Sequence, residues 1–305
     1  MQLTRQPVGR RRYFKRYTHV SGLRWRHIIK YLLLLMPLLW LRVALIFYAL
    51  GLVYALLALA RKAESLARIT VPALWLGLTF HFVSLAELTL EQGHLTPSTH
   101  NHAESLLAFL VAAFFLAFWL KYRTVSPGIF VFPLVFLLTL LAAIGQQPQE
   151  FTSPLLRRGW IFVHVTLIFL GYAALFLSFV TSMLYLWQER RLKSKNMGRW
   201  LRLPPLQVID EIGYRALLLG FPFMTLGLIA GSIVAQEQFG AAFFHDPKIV
   251  LSIMVWIIYM VLLFTRWSAG WRGRKAAFLS TFAFIAAVGT WAANYLSGTH
   301  RFLGP

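Results

Sequence analysis

Long apolar runs recur along the whole chain, and they constrain its fold more than any other feature. Eight segments are candidates for membrane spans, at about 42–60, 69–89, 104–120, 128–145, 160–187, 213–235, 249–265 and 276–295. A helix of about 20 apolar residues crosses a hydrocarbon core of about 30 Å. Because lipid offers no hydrogen-bond partners and these runs show no two-residue alternation, they predict helices and not strands. We therefore expect an all-α, polytopic integral membrane helix bundle with about eight transmembrane helices.

The composition agrees with a single membrane bundle and excludes several kinds of chemistry. Hydrophobic residues make up 58% of the 305 residues and charged residues only 13%, whereas about 25% of a soluble domain is charged. The chain has no cysteine, which excludes disulfides, iron–sulfur clusters and thioether attachment of a cofactor to this chain. We find neither a glycine-rich nucleotide-binding pattern nor a nucleophile elbow.

The basic residues of the loops assign the two sides of the membrane. The loops after the first, third, fifth and seventh segments hold many basic residues: Arg61, Lys62, Arg68, Lys121, Arg123, Arg190, Arg191, Lys193, Lys195, Arg199, Arg202, Arg266, Arg272, Arg274 and Lys275. The opposite loops hold only Arg157, Arg158, Lys248 and Arg301. Positive residues favour the cytoplasmic side. The first set is therefore predicted to be cytoplasmic, which places His164 and His300 at the outer face.

The amino-terminal stretch does not fit this topology. Residues 1–30 carry nine basic side chains and no acidic one, yet eight spans would place them outside, against the charge rule. We interpret residues 1–35 as a basic extension, either upstream of the true start or disordered or interfacial, and residues 36–305 as the transmembrane domain. The net charge of +20 indicates attraction to anionic lipid. Nucleic acid is not an expected partner, because no nucleic-acid-binding motif accompanies the charge.

Three histidines are the main candidates for function. His164 lies near the start of the fifth segment and His300 just past the end of the eighth, so both meet the same face. Two neutral imidazoles on one surface are suitable axial ligands for a six-coordinate haem iron; the alternative is two interfacial histidines that merely reach water. His81 lies within the second segment, where polar residues are usually functional. Its alternative role is a hydrogen bond to Ser84 or to a neighbouring helix.

Other polar residues have local interpretations. The loop Glu91–Asn101 and its surroundings hold His94, His100 and His102, with the spacing H-x5-H-x-H. This spacing could hold a metal ion, but no acidic or thiolate partner supports it, so we interpret these residues as histidines of a polar outer loop. Three residues are interpreted as a surface pair at i,i+4 and a cap on the sixth span: Asp210, Glu211 and Arg215.

Several stretches together resemble a known family. They are Pro204–Arg215, Gly220–Phe223, Thr225–Gly227, Trp256–Tyr259, Gly270–Ala277, His164 with Gly171–Leu175, and Asn101 with Glu104–Leu106. In this combination and order, over about residues 40–305, they resemble the cytochrome c assembly superfamily, which includes the CcsA/ResC type and the HemX/YpjD-like branch. The resemblance implies a protein that binds or moves haem at the outer face for attachment to apocytochrome c.

The resemblance also implies roles for the histidines. His164 and His300 match the two external haem-ligating histidines of the family, and His81 matches the first of two internal histidines of the CcsA type. The second internal histidine is missing, and Phe264 stands near its place. The terminal Ser297–His300 is similar to the CcsA branch.

The tryptophan-rich loop of the family, WGxxWxWDPKE, is altered in this chain. Its tryptophans correspond to Phe239, Phe243 and His245, whereas Gly240, Asp246, Pro247 and Lys248 are retained. Aromatic faces for porphyrin stacking partly survive, so the resemblance implies that Phe239, Phe243, His245 and Asp246 contact haem. The alternative for Asp246 is a cap on the seventh helix, with Pro247 in its first turn. Loss of the tryptophans is typical of the HemX/YpjD-like branch.

The sequence thus predicts a haem-binding membrane protein of c-type cytochrome biogenesis, which holds or delivers non-covalent haem b through two axial histidines. It is not expected to be an enzyme alone, but to be a subunit of a haem–cytochrome c attachment system. The expected partners are haem, a maturation membrane protein, apocytochrome c and membrane lipid, and the expected location is the bacterial inner (plasma) membrane. The alternative is a HemX-like scaffold or regulator of haem biosynthesis that binds its partner through basic cytoplasmic loops such as Gln188–Pro205.

Overall fold

The structure is a computed structural model that describes residues 36–58, 64–97, 99–144, 159–194, 203–239 and 247–292. The regular structure of these residues is entirely helical, as predicted. The eight helices are α1 (Met36–Ala58), α2 (Glu64–Gln92), α3 (His100–Tyr122), α4 (Gly128–Ile144), α5 (Gly159–Lys193), α6 (Leu206–Phe239), α7 (Pro247–Trp267) and α8 (Arg274–Ala292). Each predicted span corresponds to one of these helices.

Six of the eight helices are long and apolar enough to cross a membrane: α1, α2, α3, α5, α6 and α7. The helix α4 is apolar but has 17 residues, a length of about 26 Å. The helix α8 has 19 residues and starts with Arg274 and Lys275; it is not among the six. The prediction of a polytopic helical membrane protein is confirmed.

Several helix starts differ from the predicted boundaries, and two of them have a clear local reason. The helix α6 begins at Leu206, seven residues before the predicted span, because the Pro204-Pro205 pair precedes it and proline suits the position before a first helical turn. The helix α3 begins at His100, where the Thr99 side chain caps it by accepting from the backbone N–H of His102 at 3.1 Å. The prediction that His100 and His102 belong to a loop is therefore wrong.

The helices α5 and α6 form an antiparallel pair at the centre of the bundle. Each is about 50 Å long, with 35 and 34 residues, and α3 and α8 also pack against α5. Four glycines of α6 face α5, with spacings of seven, seven and four residues: Gly213, Gly220, Gly227 and Gly231. A Cβ on any of them would lie less than 3.0 Å from a side-chain atom of α5. Glycine therefore allows these two backbones to approach closely.

The two larger buried clusters of the core meet at this pair. One cluster contains residues of every helix from α1 to α6, among them Tyr48 and Phe132. The other contains residues of α5, α6, α7 and α8, among them Leu217 and Tyr259. Large apolar side chains elsewhere on the bundle are exposed, such as Phe264, 60% exposed on α7. Lipid covers such side chains in a membrane protein.

A buried ion pair joins the start of α6 and the end of α7 to the turn before α8. Arg266 Nη2 lies 2.7 Å from Asp210 Oδ2, and their side chains are only 7% and 17% exposed. The other oxygen, Asp210 Oδ1, accepts from the backbone N–H of Gly273 at 3.2 Å. The interpretation of Asp210 as a helix cap is therefore wrong, because α6 starts at Leu206 and the carboxylate faces α7. The i,i+4 pair of Glu211 and Arg215 is present as predicted.

We predict that Asp210→Ala lowers the free energy of unfolding by about 3–5 kcal/mol, because it leaves the Arg266 guanidinium buried without its carboxylate. Thermal or denaturant unfolding of the purified protein in detergent measures the change. Glu211→Ala is the matched control, since it removes the neighbouring carboxylate from an exposed pair and is expected to have little effect. Equal losses in the two variants would contradict this assignment.

Candidate functional site

His164 lies in the second turn of α5 and is half-buried against α6. Its Nδ1 is 2.7 Å from the carbonyl oxygen of Gly227. Because a carbonyl oxygen can only accept, the ring hydrogen must lie on Nδ1, which donates it. The other nitrogen, Nε2, then carries the lone pair. A neutral imidazole with Nδ1–H bound to a backbone carbonyl and Nε2 free to ligate is a common arrangement of metal-binding histidines.

Gly231 provides the space that the imidazole occupies. A Cβ at this position would lie 2.5 Å from both Cε1 and Nδ1 of His164, and 3.2 Å from Nε2. Any side chain at position 231 would therefore displace the ring. Gly227 and Gly231 are one turn apart on α6, so one orients the imidazole by its carbonyl and the other leaves room for it.

Hydrogen bonds join α7 to α6 and α8 to α5. Trp256 Nε1 on α7 donates to Thr225 Oγ1 on α6 at 2.9 Å. The hydroxyls of Tyr172 on α5 and Thr290 on α8 are 2.8 Å apart. The carboxyl end of α8 therefore lies beside α5, two turns from His164.

Most of the other predicted haem contacts lie outside the described residues: His300, Phe243, His245, Asp246 and the side chain of Phe239. The structure does describe the two ends of the altered loop. The helix α6 ends at Phe239 and α7 begins at Pro247, which agrees with the predicted place of this proline in the first turn. The loop thus continues from the end of α6 that carries Gly231.

His81 belongs to a separate polar cluster in the core of the bundle. It is fully buried, with Nδ1 3.3 Å from Tyr48 Oη on α1 and Nε2 2.9 Å from Ser105 Oγ on α3. The alternative partner named from the sequence, Ser84, instead donates to the carbonyl of Pro37 at 2.6 Å. Of the two alternatives predicted for His81, the hydrogen bond to a neighbouring helix is therefore present and the one to Ser84 is not. No hydrogen bond or ring contact among the described residues connects His81 with His164.

The histidines at the junction of α2 and α3 make local contacts. His94 Nδ1 donates to the carbonyl of Thr96 at 3.0 Å, and His102 Nδ1 lies 3.2 Å from the amide nitrogen of Gln92. Within the described ranges, no group of three or more histidine or acidic side chains is arranged to hold a metal ion.

Sequence reasoning found His164 but missed the two glycines that position it. The available signal was the spacing of glycines along α6, at positions 213, 220, 227 and 231. Intervals of seven and four residues return to one face of a helix. The same reasoning named Asp210 but missed its partner, because Arg266 is distant in sequence and was counted among the basic residues that assign the sides.

Comparison with known proteins gives consistent results. The sequence model of the family described as "Cytochrome C assembly protein" matches residues 38–297. The "Cytochrome c biogenesis protein CcsA" of Prochlorococcus marinus (strain MIT 9303) is 31% identical over 244 residues, covering 68% of this chain and 76% of the relative. That of Heterosigma akashiwo is 28% identical over 223 residues, covering 61% of this chain and 69% of the relative.

Among solved structures, "Cytochrome c Heme Lyase CcmF" has a similar fold, with a TM-score of 0.62 over 87% of this chain. The sequence identity is 17% and the match covers 46% of CcmF. The chain therefore spans less than half of that protein, and the likeness concerns the fold alone.

The packing of Gly231 on His164 predicts an unusual response to alanine. Alanine stabilises a helix interior by about 1 kcal/mol relative to glycine, but Gly231→Ala is expected to lower the unfolding temperature because the new methyl group clashes with the imidazole. Gly289→Ala on α8 is the matched control, since nothing lies within 4 Å of its added Cβ. Combining Gly231→Ala with His164→Ala should remove the clash. Purely additive effects in this double-mutant cycle would contradict the described contact.

Proposed function

The chain belongs to the cytochrome c assembly protein family, and from this membership we propose that it is a haem-binding membrane protein of c-type cytochrome biogenesis. It holds or delivers haem at the outer membrane face. The observation that supports this proposal most strongly is the hydrogen bond from His164 Nδ1 to Gly227, since it leaves Nε2 as the ligating nitrogen. The resemblance assigned an external haem-ligating role to this same histidine.

The proposed second axial ligand is His300. Support comes from α8, whose carboxyl end lies beside α5 through the contact of Tyr172 with Thr290. His300 follows the last residue of α8, Ala292, by eight positions. Eight extended residues reach about 26 Å, which is enough to return to the outer end of α5.

The loop between α6 and α7 is proposed as the aromatic platform. It continues from the helix end that carries Gly231, the glycine packed against His164, and Phe239, Phe243, His245 and Asp246 follow that glycine by eight to fifteen positions. Phenylalanine rings offer apolar contact and offset stacking, an effect of about 0.5–1.5 kcal/mol per aromatic pair beyond area burial. They lack the N–H donors of indole, so the histidines would contribute more of the affinity.

Bound haem b would supply an iron with two axial positions and the porphyrin that is passed to apocytochrome c. The residues of this chain bind and orient: His164 is held by Gly227 and Gly231 in the neutral form that ligates. The chain has no cysteine, so the thiols that receive haem belong to apocytochrome c, presented by a separate maturation membrane protein. We propose the bacterial plasma membrane as its location, since its relative from Prochlorococcus marinus is a bacterial protein.

For His81 the resemblance implies an internal haem ligand, whereas its contacts favour a structural role. Both ring nitrogens are engaged, by Tyr48 and by Ser105, so ligation through either nitrogen would require loss of one of these hydrogen bonds. We therefore assign the proposed haem chemistry to the outer site and not to His81.

The first test of this proposal is axial ligation. The haem-loaded protein is expected to show a low-spin bis-histidine absorption spectrum. His164→Ala and His300→Ala should each convert the spectrum to high spin, because one axial ligand is lost, and added imidazole should restore the low-spin form. His94→Ala, which changes an outer histidine with only a local backbone contact, is the control. Unchanged spectra in both ligand variants would refute the assignment.

The second test distinguishes the proposed haem handling from the alternative function, a HemX-like scaffold. The loss of the loop tryptophans favours that alternative. Phe239→Trp, Phe243→Trp and His245→Trp combined should slow haem dissociation if the loop is an aromatic platform, because indole adds both stacking area and a donor. Haem dissociation into apomyoglobin measures the rate. If the triple variant still binds no haem while deletion of residues 188–205 abolishes a partner interaction, the scaffold function is correct.

A further inference from the structure

The turn between α7 and α8 concentrates positive charge at the cytoplasmic edge of the bundle. Arg272, Arg274 and Lys275 are all exposed, and no carboxylate of the described residues forms an ion pair with them. The sequence contains no aspartate or glutamate from Pro247 to the carboxyl terminus. This charge is therefore not neutralised locally.

The carboxylates that α5 and α6 carry at this end are engaged elsewhere. Glu189 pairs with Lys193 on its own helix, and Glu211 pairs with Arg215. Asp210, the carboxylate that touches the turn, binds Arg266 with one oxygen and the backbone N–H of Gly273 with the other. It holds the turn in place and leaves the three exposed cations for an external anion.

Aromatic side chains place these cations at the level of lipid headgroups. Trp267, at the end of α7, is 83% exposed, and an exposed indole at the end of a span lies at the membrane–water interface. Lys275 Nζ lies 5.6 Å from the centre of the Trp271 ring, and the Arg274 guanidinium lies 5.5 Å from that of Phe278. Lysine and arginine side chains pack their aliphatic part on apolar surface, so that the charged group lies at the membrane interface and not in the hydrocarbon.

The turn is also preformed. Gly270 and Gly273 adopt positive φ values of 61° and 64°, which glycine tolerates without strain. The backbone N–H of Trp271 donates to the carbonyl of Thr265 at 3.1 Å. Because this backbone is fixed by internal bonds and by Asp210, an anion bound to the turn orders little of the chain, which favours affinity.

We propose that this basic turn, formed by Trp267, Trp271, Arg272, Arg274 and Lys275, binds the headgroup phosphate of an anionic phospholipid of the cytoplasmic leaflet. The three cations complement the charge of the phosphate, and the two indoles hold the site at headgroup depth. A soluble anion would contact only the cations. A lipid would also contact the exposed Trp267 and the exposed Phe264, one turn before it. This inference does not depend on haem binding.

The test is to measure binding of phosphatidylglycerol and of phosphatidylcholine to the full chain in detergent by native mass spectrometry. The combined variant Arg272→Gln, Arg274→Gln and Lys275→Gln is expected to weaken phosphatidylglycerol binding at least about tenfold, with little change for phosphatidylcholine. The matched control combines Lys121→Gln, Arg123→Gln and Arg190→Gln, which removes three exposed cations from the same side and is expected to weaken binding less than about threefold.

Three outcomes would overturn the proposal. Equal losses in the two triple variants would mean that the attraction belongs to the whole basic side. No loss in either would mean that the turn binds no lipid. Displacement of phosphatidylglycerol by millimolar inorganic phosphate would assign the site to a soluble anion. If the triple variant fails to fold, the single variants Arg272→Gln and Arg274→Gln, on a partly exposed turn, are compared with Arg190→Gln in the same way.

Discussion

The close packing of α5 on α6 is the interaction on which the rest of the structure depends. Four glycines on one face of α6 have no side chain that would hold the two backbones apart. Near the start of α5, this closeness brings the Gly227 carbonyl within hydrogen-bond reach of His164. A wider separation would leave the imidazole free to rotate, and neither its tautomer nor the direction of Nε2 would be fixed. The candidate site is thus a consequence of helix packing.

The membrane explains how the remaining polar groups are arranged. A buried polar group without a partner is costly in lipid, and the main polar residues of the bundle meet this constraint in different ways. His81 is satisfied by Tyr48 and Ser105 from two neighbouring helices, and Arg266 is satisfied by Asp210. His164 differs, because among the described residues only its Nδ1 is hydrogen-bonded, and we propose that its Nε2 ligates iron. This difference is why we assign function to His164 and structure to His81.

Sequence reasoning captured those features that depend on local pattern. Apolar runs gave the number and order of the helices, since a span must be apolar along its length, and the resemblance directed attention to His164. The predicted first residues of α3 and α6 were wrong. The start of α3 depends on capping by Thr99, and the start of α6 depends on the Pro204-Pro205 pair. The contacts of His164 with Gly227 and of Asp210 with Arg266 join residues more than 50 positions apart. Such pairings depend on how helices pack, which a single sequence does not specify.

We propose separate roles for the two ends of the bundle: ligation at the end of α5 and α6 that carries His164, and lipid binding at the basic turn between α7 and α8. The central proposal is that His164 ligates iron through Nε2 while Nδ1 stays bound to Gly227. An electron cryo-microscopy structure of the haem-loaded full chain tests this claim directly. We expect the iron to lie on Nε2 of His164, with the Nδ1 contact to the Gly227 carbonyl retained at about the present 2.7 Å. Iron bound elsewhere, or bound to Nδ1 with the Gly227 contact broken, would contradict it.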